Sequence, residues 1–149
     1  MPRIYVDADA CPVKAEVCRV AERYDLEVIL VAHSRMRVPG GKKAVLRVVE
    51  AGFDAADDWI VDHVESLDIV VSADIPLAAR CLEKGARVVG PTGRPFTEDN
   101  IGEAVASRAL LSELRDLGEV TGGPPPFQKK DRSRFLQELD KMVHAIRRR

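Results

Sequence analysis

The chain has 149 residues, 46% of them hydrophobic and 32% charged, with three cysteines and a net charge of −1. This fits one soluble globular domain spanning residues 1–149 and excludes a disordered or collagen-like chain. Three cysteines cannot pair completely, no secretory segment opens the sequence, and no apolar run nears the roughly 18 residues that span a bilayer. The expectation is a reduced, cytoplasmic protein with no membrane contact.

Ile4 and Val6 alternate up to Asp7 as in a short strand. Val13, Val17, Val20, Ala21 and Tyr24 then recur at helical spacing, and Val28 to Val31 is a branched run typical of a buried strand. Arg35 to Lys43 is a basic loop turning at Pro39-Gly40-Gly41. Val45 to Val49 reads as a third strand. Asp54 is placed to cap a helix through Trp59, Ile60 and Val64. Ile69 to Ser72 is a fourth strand, followed by a helix carrying Leu77, Ala78 and Leu82. Ala86 to Val89 is a fifth, stopped by Gly90-Pro91.

The second half, about 97–149, reads as a helical extension. Thr97 caps a helix through Ile101, Val105, Leu110, Leu114 and Leu117, which Gly118 ends. Thr121 to Pro126 is a stiff connector. Phe135, Leu136, Leu139, Met142, Val143 and Ile146 form the apolar stripe of a last helix that packs back on the sheet. Strand–helix alternation predicts an α/β fold: a roughly five-stranded parallel sheet with helices on both faces.

The near-zero net charge hides an asymmetry. Residues 128–149 hold eight Lys/Arg against three acids, a net +5, so residues 1–127 carry −6. Between Arg47 and Arg80 there is no Lys or Arg, yet there are eight acids. An acidic centre beside a basic tail suits a metal site near a polyanion-binding surface.

Asp7-Ala8-Asp9 ends the first strand. In an extended chain residues i and i+2 face the same way, so both carboxylates can converge where open α/β sheets bind ligands. Asp74 likewise ends the fourth strand, on the same rim if the sheet is parallel. Each of Asp9 and Asp74 is also explained as a helix cap. Asp58 and Asp62, four apart, share a helix face and repel, which either water or a cation offsets. Clustered carboxylates without His or Cys partners select hard ions, Mg²⁺ or Mn²⁺. Such ions serve phosphodiester cleavage without a side-chain nucleophile. Lys14, Arg35, Arg37, Lys42 and Lys43 are the cations placed to contact phosphate. His33, His63 and His144 show no ligand spacing, and Cys11 and Cys18 read as packed thiols sharing a helix face.

Val6 to Lys14 (VDADACPVK), Asp68 to Ala78 (DIVVSADIPLA), Gly90 to Ile101 (GPTGRPFTEDNI) and Gly122 to Phe135 (GGPPPFQKKDRSRF) resemble the YaiI/YqxD family of bacterial proteins. That family is similar to the PIN-like nuclease superfamily. The resemblance implies a PIN-like three-layer domain with an acid ending strand one, an acid on a middle helix and an acid ending strand four. Asp7 matches the first, Asp58 or Asp62 the second, and Asp74 the third; the nearest residue for a further acid is Asp99.

The resulting expectation is a Mg²⁺- or Mn²⁺-dependent nuclease acting on RNA rather than DNA. Asp7, Asp9 and Asp74 hold metal, Asp58 completes the shell and Asp62 stands behind it. Two rivals remain at this point. One is a haloacid-dehalogenase-like phosphatase, with Asp7-x-Asp9 after the first strand and Ser34 after the second. The other is a non-catalytic nucleic-acid-binding module.

Overall fold

A computed structural model describes residues 2–40, 43–50, 52, 54–119 and 126–148. The connector at 121–125, Lys42 and Arg149 lie outside the described residues. The described chain runs β1 (Arg3–Asp7), α1 (Lys14–Tyr24), β2 (Glu27–Ala32), β3 (Ala44–Val48), α2 (Ala55–His63), β4 (Ile69–Val71), α3 (Ile75–Glu83), β5 (Arg87–Val89), β6 (Pro95–Phe96), α4 (Glu98–Asp116) and α5 (Lys129–Arg147).

The strand order is β3-β2-β1-β4-β5-β6. The first five strands are parallel, and β6 joins β5 antiparallel. This is the expected three-layer α/β domain with one strand more than the sequence pattern predicts. A two-residue strand shows no periodicity, and Pro95, lacking an N–H, is tolerated because β6 is an edge.

Side chains alternate across the sheet, and each parity has its own core. Ile4, Val6, Leu30, Ile69 and Val71 pack with Val17 and Val20 of α1 and with Phe135, Leu139 and Val143 of α5. Tyr5, Val31, Val70 and Val88 pack with Ile60 of α2 and with Leu77, Ala78 and Cys81 of α3. The last helix therefore docks as its stripe predicts. Its fully buried Phe135 is a residue whose truncation costs about 3–5 kcal/mol.

Local chemistry fixes the helix ends unevenly. Asp74 caps α3 by accepting the Leu77 N–H at 3.0 Å, with Pro76 in the first turn. Thr97 and Asn100 form a reciprocal capping box on α4. Asp54 does occupy the N-cap position of α2, but it adopts φ 60° and its side chain caps nothing. The expected packing of α4 is only partly realised. Ala104 is its one buried residue, while Val105, Leu110, Leu111 and Leu117 are exposed. Cys11 precedes α1 rather than lying on it, and all three thiols are buried and free. Among the described residues no helix is long and apolar enough to cross a membrane.

Candidate active site at the sheet rim

Parity carries Asp7 onto the α2/α3 face, because it follows Tyr5 by two residues along β1. Residues Ile4 to Val6 pair with Ile69 to Val71, so β1 and β4 are neighbours and their carboxyl ends share one rim. Ser72 and Asp74 follow β4 at that rim. The buried Ser72 hydroxyl donates to Asp7 Oδ2 at 3.1 Å and accepts the Asp74 N–H at 2.9 Å. One hydroxyl thus ties two acidic residues together. The expectation that Asp7 and Asp74 end neighbouring strands holds.

The acid that α2 contributes is Asp57. Burial, then the charges of Asp74 and Asp7, push its carboxyl from the ordinary 3.8 up to about 6, with Arg80 opposing. Asp7 is raised too, by burial and by the charges of Asp74 and Asp9, against the Ser72 hydrogen bond. Asp57 thus lies within reach of the charges of both Asp7 and Asp74, the two residues that Ser72 ties together.

Asp58 and Asp62 are placed differently from expectation. Asp58 is exposed and bonds the Arg80 guanidinium at 2.9 Å. Asp62 is exposed, and because α2 runs away from the rim it sits about 6 Å further along the axis than Asp58. The overlooked signal lies in helix spacing. Asp57, buried Ile60 and buried Val64 stand at i, i+3 and i+7, so Asp57 shares the face turned to the sheet.

Asp9 also departs from the extended-chain argument. The strand stops at Asp7, and the turn through Asp9 and Ala10, with φ 59° at Ala10, redirects the chain. Asp9 Oδ2 then accepts the His33 N–H at 3.1 Å and lies 2.6 Å from His33 Nδ1. This contact raises the His33 pKa above its ordinary value. His33, which showed no ligand spacing, is therefore a rim residue that holds Asp9.

The predicted phosphate-contacting cations divide. Lys14 opens α1 at the rim and donates to the Ala8 carbonyl at 3.4 Å. Arg35 and Arg37 are exposed on the loop that leaves the carboxyl end of β2. Lys43 precedes β3, at the opposite end of the sheet, and pairs with Asp25 at 3.2 Å. It does not join the carboxylates. Asp99 is exposed in the first turn of α4. Among the described residues no three or more Asp, Glu, His or Cys side chains are arranged to hold one ion.

Residues 5–145 match the family model described as "Uncharacterized BCR, YaiI/YqxD family". The chain belongs to that family. It is 56% identical over 149 residues to the UPF0178 protein of Rhodospirillum centenum, covering 97% of each chain. It is also 56% identical to the UPF0178 protein of Parvibaculum lavamentivorans, covering all of this chain and 98% of that one. The corresponding protein of Brucella ovis is 55% identical, over 97% of this chain and 91% of that one. Among solved structures, a homospermidine synthase from Legionella pneumophila, in complex with NAD, is similar with TM-score 0.49 and 16% identity. That match covers 83% of this chain and 35% of the synthase, and at that score it carries no functional argument.

Proposed function

We propose that this YaiI/YqxD-family protein is a Mg²⁺- or Mn²⁺-dependent nuclease that hydrolyses phosphodiester bonds, in RNA rather than DNA, at the rim formed by Asp7, Asp57 and Asp74. The observation that carries this reading is the shared β1–β4 rim, where the Ser72 hydroxyl joins Asp7 to Asp74 and the inward face of α2 brings Asp57 towards both.

The donors offered to an ion are carboxylate oxygens, those of Asp7 and Asp74, while the Ser72 hydroxyl is already engaged with both residues. That chemistry fits a hard cation, which would relieve the repulsion among the acids. A closed protein cage is not required, since Mg²⁺ keeps several waters and uses one or two carboxylates with substrate phosphate oxygens. Asp7 and Asp74 would hold the ion. When bound, it supplies Lewis-acid stabilisation of the phosphoryl group and of the leaving oxygen.

The protein's own groups do the rest. Asp57, which takes no part in holding the ion, is placed beside Asp7 and Asp74 to take a proton from the attacking water. Water oxygen bonds to phosphorus, the ester P–O bond breaks, and the departing oxygen is protonated from solvent. Ser72 holds the Asp7 carboxylate, and Lys14 offers positive charge to a phosphate. Asp58, engaged with Arg80, and Asp62 are left out. Asp9 is a supporting residue, since its carboxylate is engaged by His33. The test is incubation of purified protein with panels of RNA and DNA, with Mn²⁺ and with EDTA. Mn²⁺-dependent scission of RNA supports the reading. A trapped aspartyl-phosphate would instead identify a phosphatase.

A further inference from the structure

Beside the rim, between α3 and α4, lies a groove of about 370 Å³ lined by Ile75, Arg94, Ala104, Arg108, Leu111 and Arg115, with Glu103 at its side. Three arginines thus line one groove with one acidic residue. Among the described residues, none of Arg94, Arg108 and Arg115 has a carboxylate within 4.0 Å, as is also true of exposed arginines elsewhere such as Arg19, Arg35 and Arg37; what sets these three apart is that they line one groove.

The groove is built by sequence features that the carboxylate rim does not use. Ala104, Arg108, Leu111 and Arg115 stand at i, i+4, i+7 and i+11, one stripe of α4. The capping box at Thr97 and Asn100, with Asn100 Nδ2 donating to the Pro95 carbonyl at 3.0 Å, fixes where that stripe begins. Arg94 is delivered by the Gly90–Arg94 turn, closed by the Gly90 N–H on the Arg94 carbonyl at 2.9 Å. Gly93 in that turn has φ +89°, and a Cβ there would lie 2.7 Å from the Arg134 backbone, so only glycine fits. The Arg94 guanidinium lies over the Phe96 ring, 5.5 Å from its centroid. The other wall holds Ile75, the residue directly after Asp74, which puts that end of the groove next to the rim.

We propose that this groove binds the phosphate backbone of the single-stranded nucleic acid that the rim cleaves. The proposal rests on the nuclease reading and names the surface that supplies the encounter an acidic rim cannot. Guanidinium forks match phosphate oxygens in pairs. Ile75, Ala104 and Leu111 give an apolar floor for sugar and base faces, which a single strand exposes and a duplex hides.

The test is fluorescence anisotropy with a short labelled single-stranded RNA in EDTA, titrated across salt, so that binding is read without cleavage. The wild-type protein is compared with Arg108→Ala plus Arg115→Ala. The control is Arg19→Ala plus Arg23→Ala, which removes the same charge from exposed positions on α1. The groove variant is expected to bind more weakly, with a salt slope shallower by about 0.7 for each phosphate of a single strand that is no longer neutralised. Arg94→Ala alone is expected to weaken binding and make the salt slope shallower by about 0.7. Equal losses in the groove and control variants would mean a net-charge effect and overturn the groove. So would wild-type binding in the groove variant while Mn²⁺-dependent cleavage persists, and the nuclease reading would survive that result. A wild-type protein that binds neither RNA nor DNA would overturn both.

Discussion

Ser72 donates its hydroxyl to Asp7 across the β1–β4 pair at 3.1 Å, while the same oxygen accepts the backbone N–H of Asp74. This buried hydroxyl sets the relation between the two strand-end acids. Ser72→Ala leaves a half-buried carboxylate short of a donor and an N–H short of an acceptor. The expected cost is about 1–3 kcal/mol in chemical denaturation. The Asp7 carboxyl should titrate higher still, because the hydrogen bond that Ser72 supplies favours its ionised form. Carboxyl NMR titration checks that direction.

Asp57 gives a signed pH prediction. Folded, it holds its proton to about pH 6; unfolded, it releases it near 3.8. Between these values the folded chain binds more protons, so this group's effect is a loss of stability as pH rises from about 4 to 6. Asp57→Asn removes that dependence. Allowing for screening of its exposed part, the variant should be about 1 kcal/mol more stable at pH 7 and no more stable at pH 3. Melting temperatures across pH provide the measurement.

Asp57 and Asp58 are adjacent in sequence but differ in role. Asp58 makes an exposed ion pair with Arg80, worth about 0.2–1 kcal/mol. Asp58→Ala should leave Mn²⁺-dependent cleavage nearly intact, whereas Asp57→Ala should reduce it by about 10²–10⁴-fold. Parallel rate measurements on the two variants separate the positions.

Metal should stabilise the fold. Binding to the folded state alone contributes about 2.7 kcal/mol at a hundredfold excess over the dissociation constant. Thermal melts should move upward with millimolar Mn²⁺ for the wild-type protein and much less for Asp7→Asn. No shift, together with no heat of binding in calorimetry, would remove the hard-cation site.

Much of the fold is legible in the sequence. Strand parity and branched runs mark β1, β2 and β4, and a parallel sheet then obliges Asp7 and Asp74 to share a rim. The α5 stripe at Phe135, Leu139 and Val143 predicts its own burial. Other features are masked by physics that single-residue patterns do not show. Asp58 and Asp62 stand out as a like-charged pair, but the inward face of α2 belongs to Asp57, revealed only by its register with Ile60 and Val64. The turn at Ala10 breaks the extended geometry that would bring Asp9 alongside Asp7. His33 meets Asp9 only because β2 pairs with β1. Lys43 is close in sequence to Arg35, yet β3 begins at the far end of the sheet. The apolar residues of α4 follow helical spacing, but several stay exposed, since only part of one face meets α3.

The most direct test of the central claim is RNA cleavage by wild-type protein and by Asp74→Asn, each with Mn²⁺ and with EDTA, alongside a binding titration of both. Asp74 is a proposed ion ligand and also the cap of α3, so the melting temperature of the variant is recorded in the same experiment; Asn preserves the cap. The wild-type protein is expected to cut with Mn²⁺ and not with EDTA. Asp74→Asn should stay folded, bind RNA as well or more tightly because a negative charge is gone, and no longer cut. Cleavage that persists unchanged in Asp74→Asn, or a wild-type protein that leaves RNA intact with Mn²⁺, would contradict that claim.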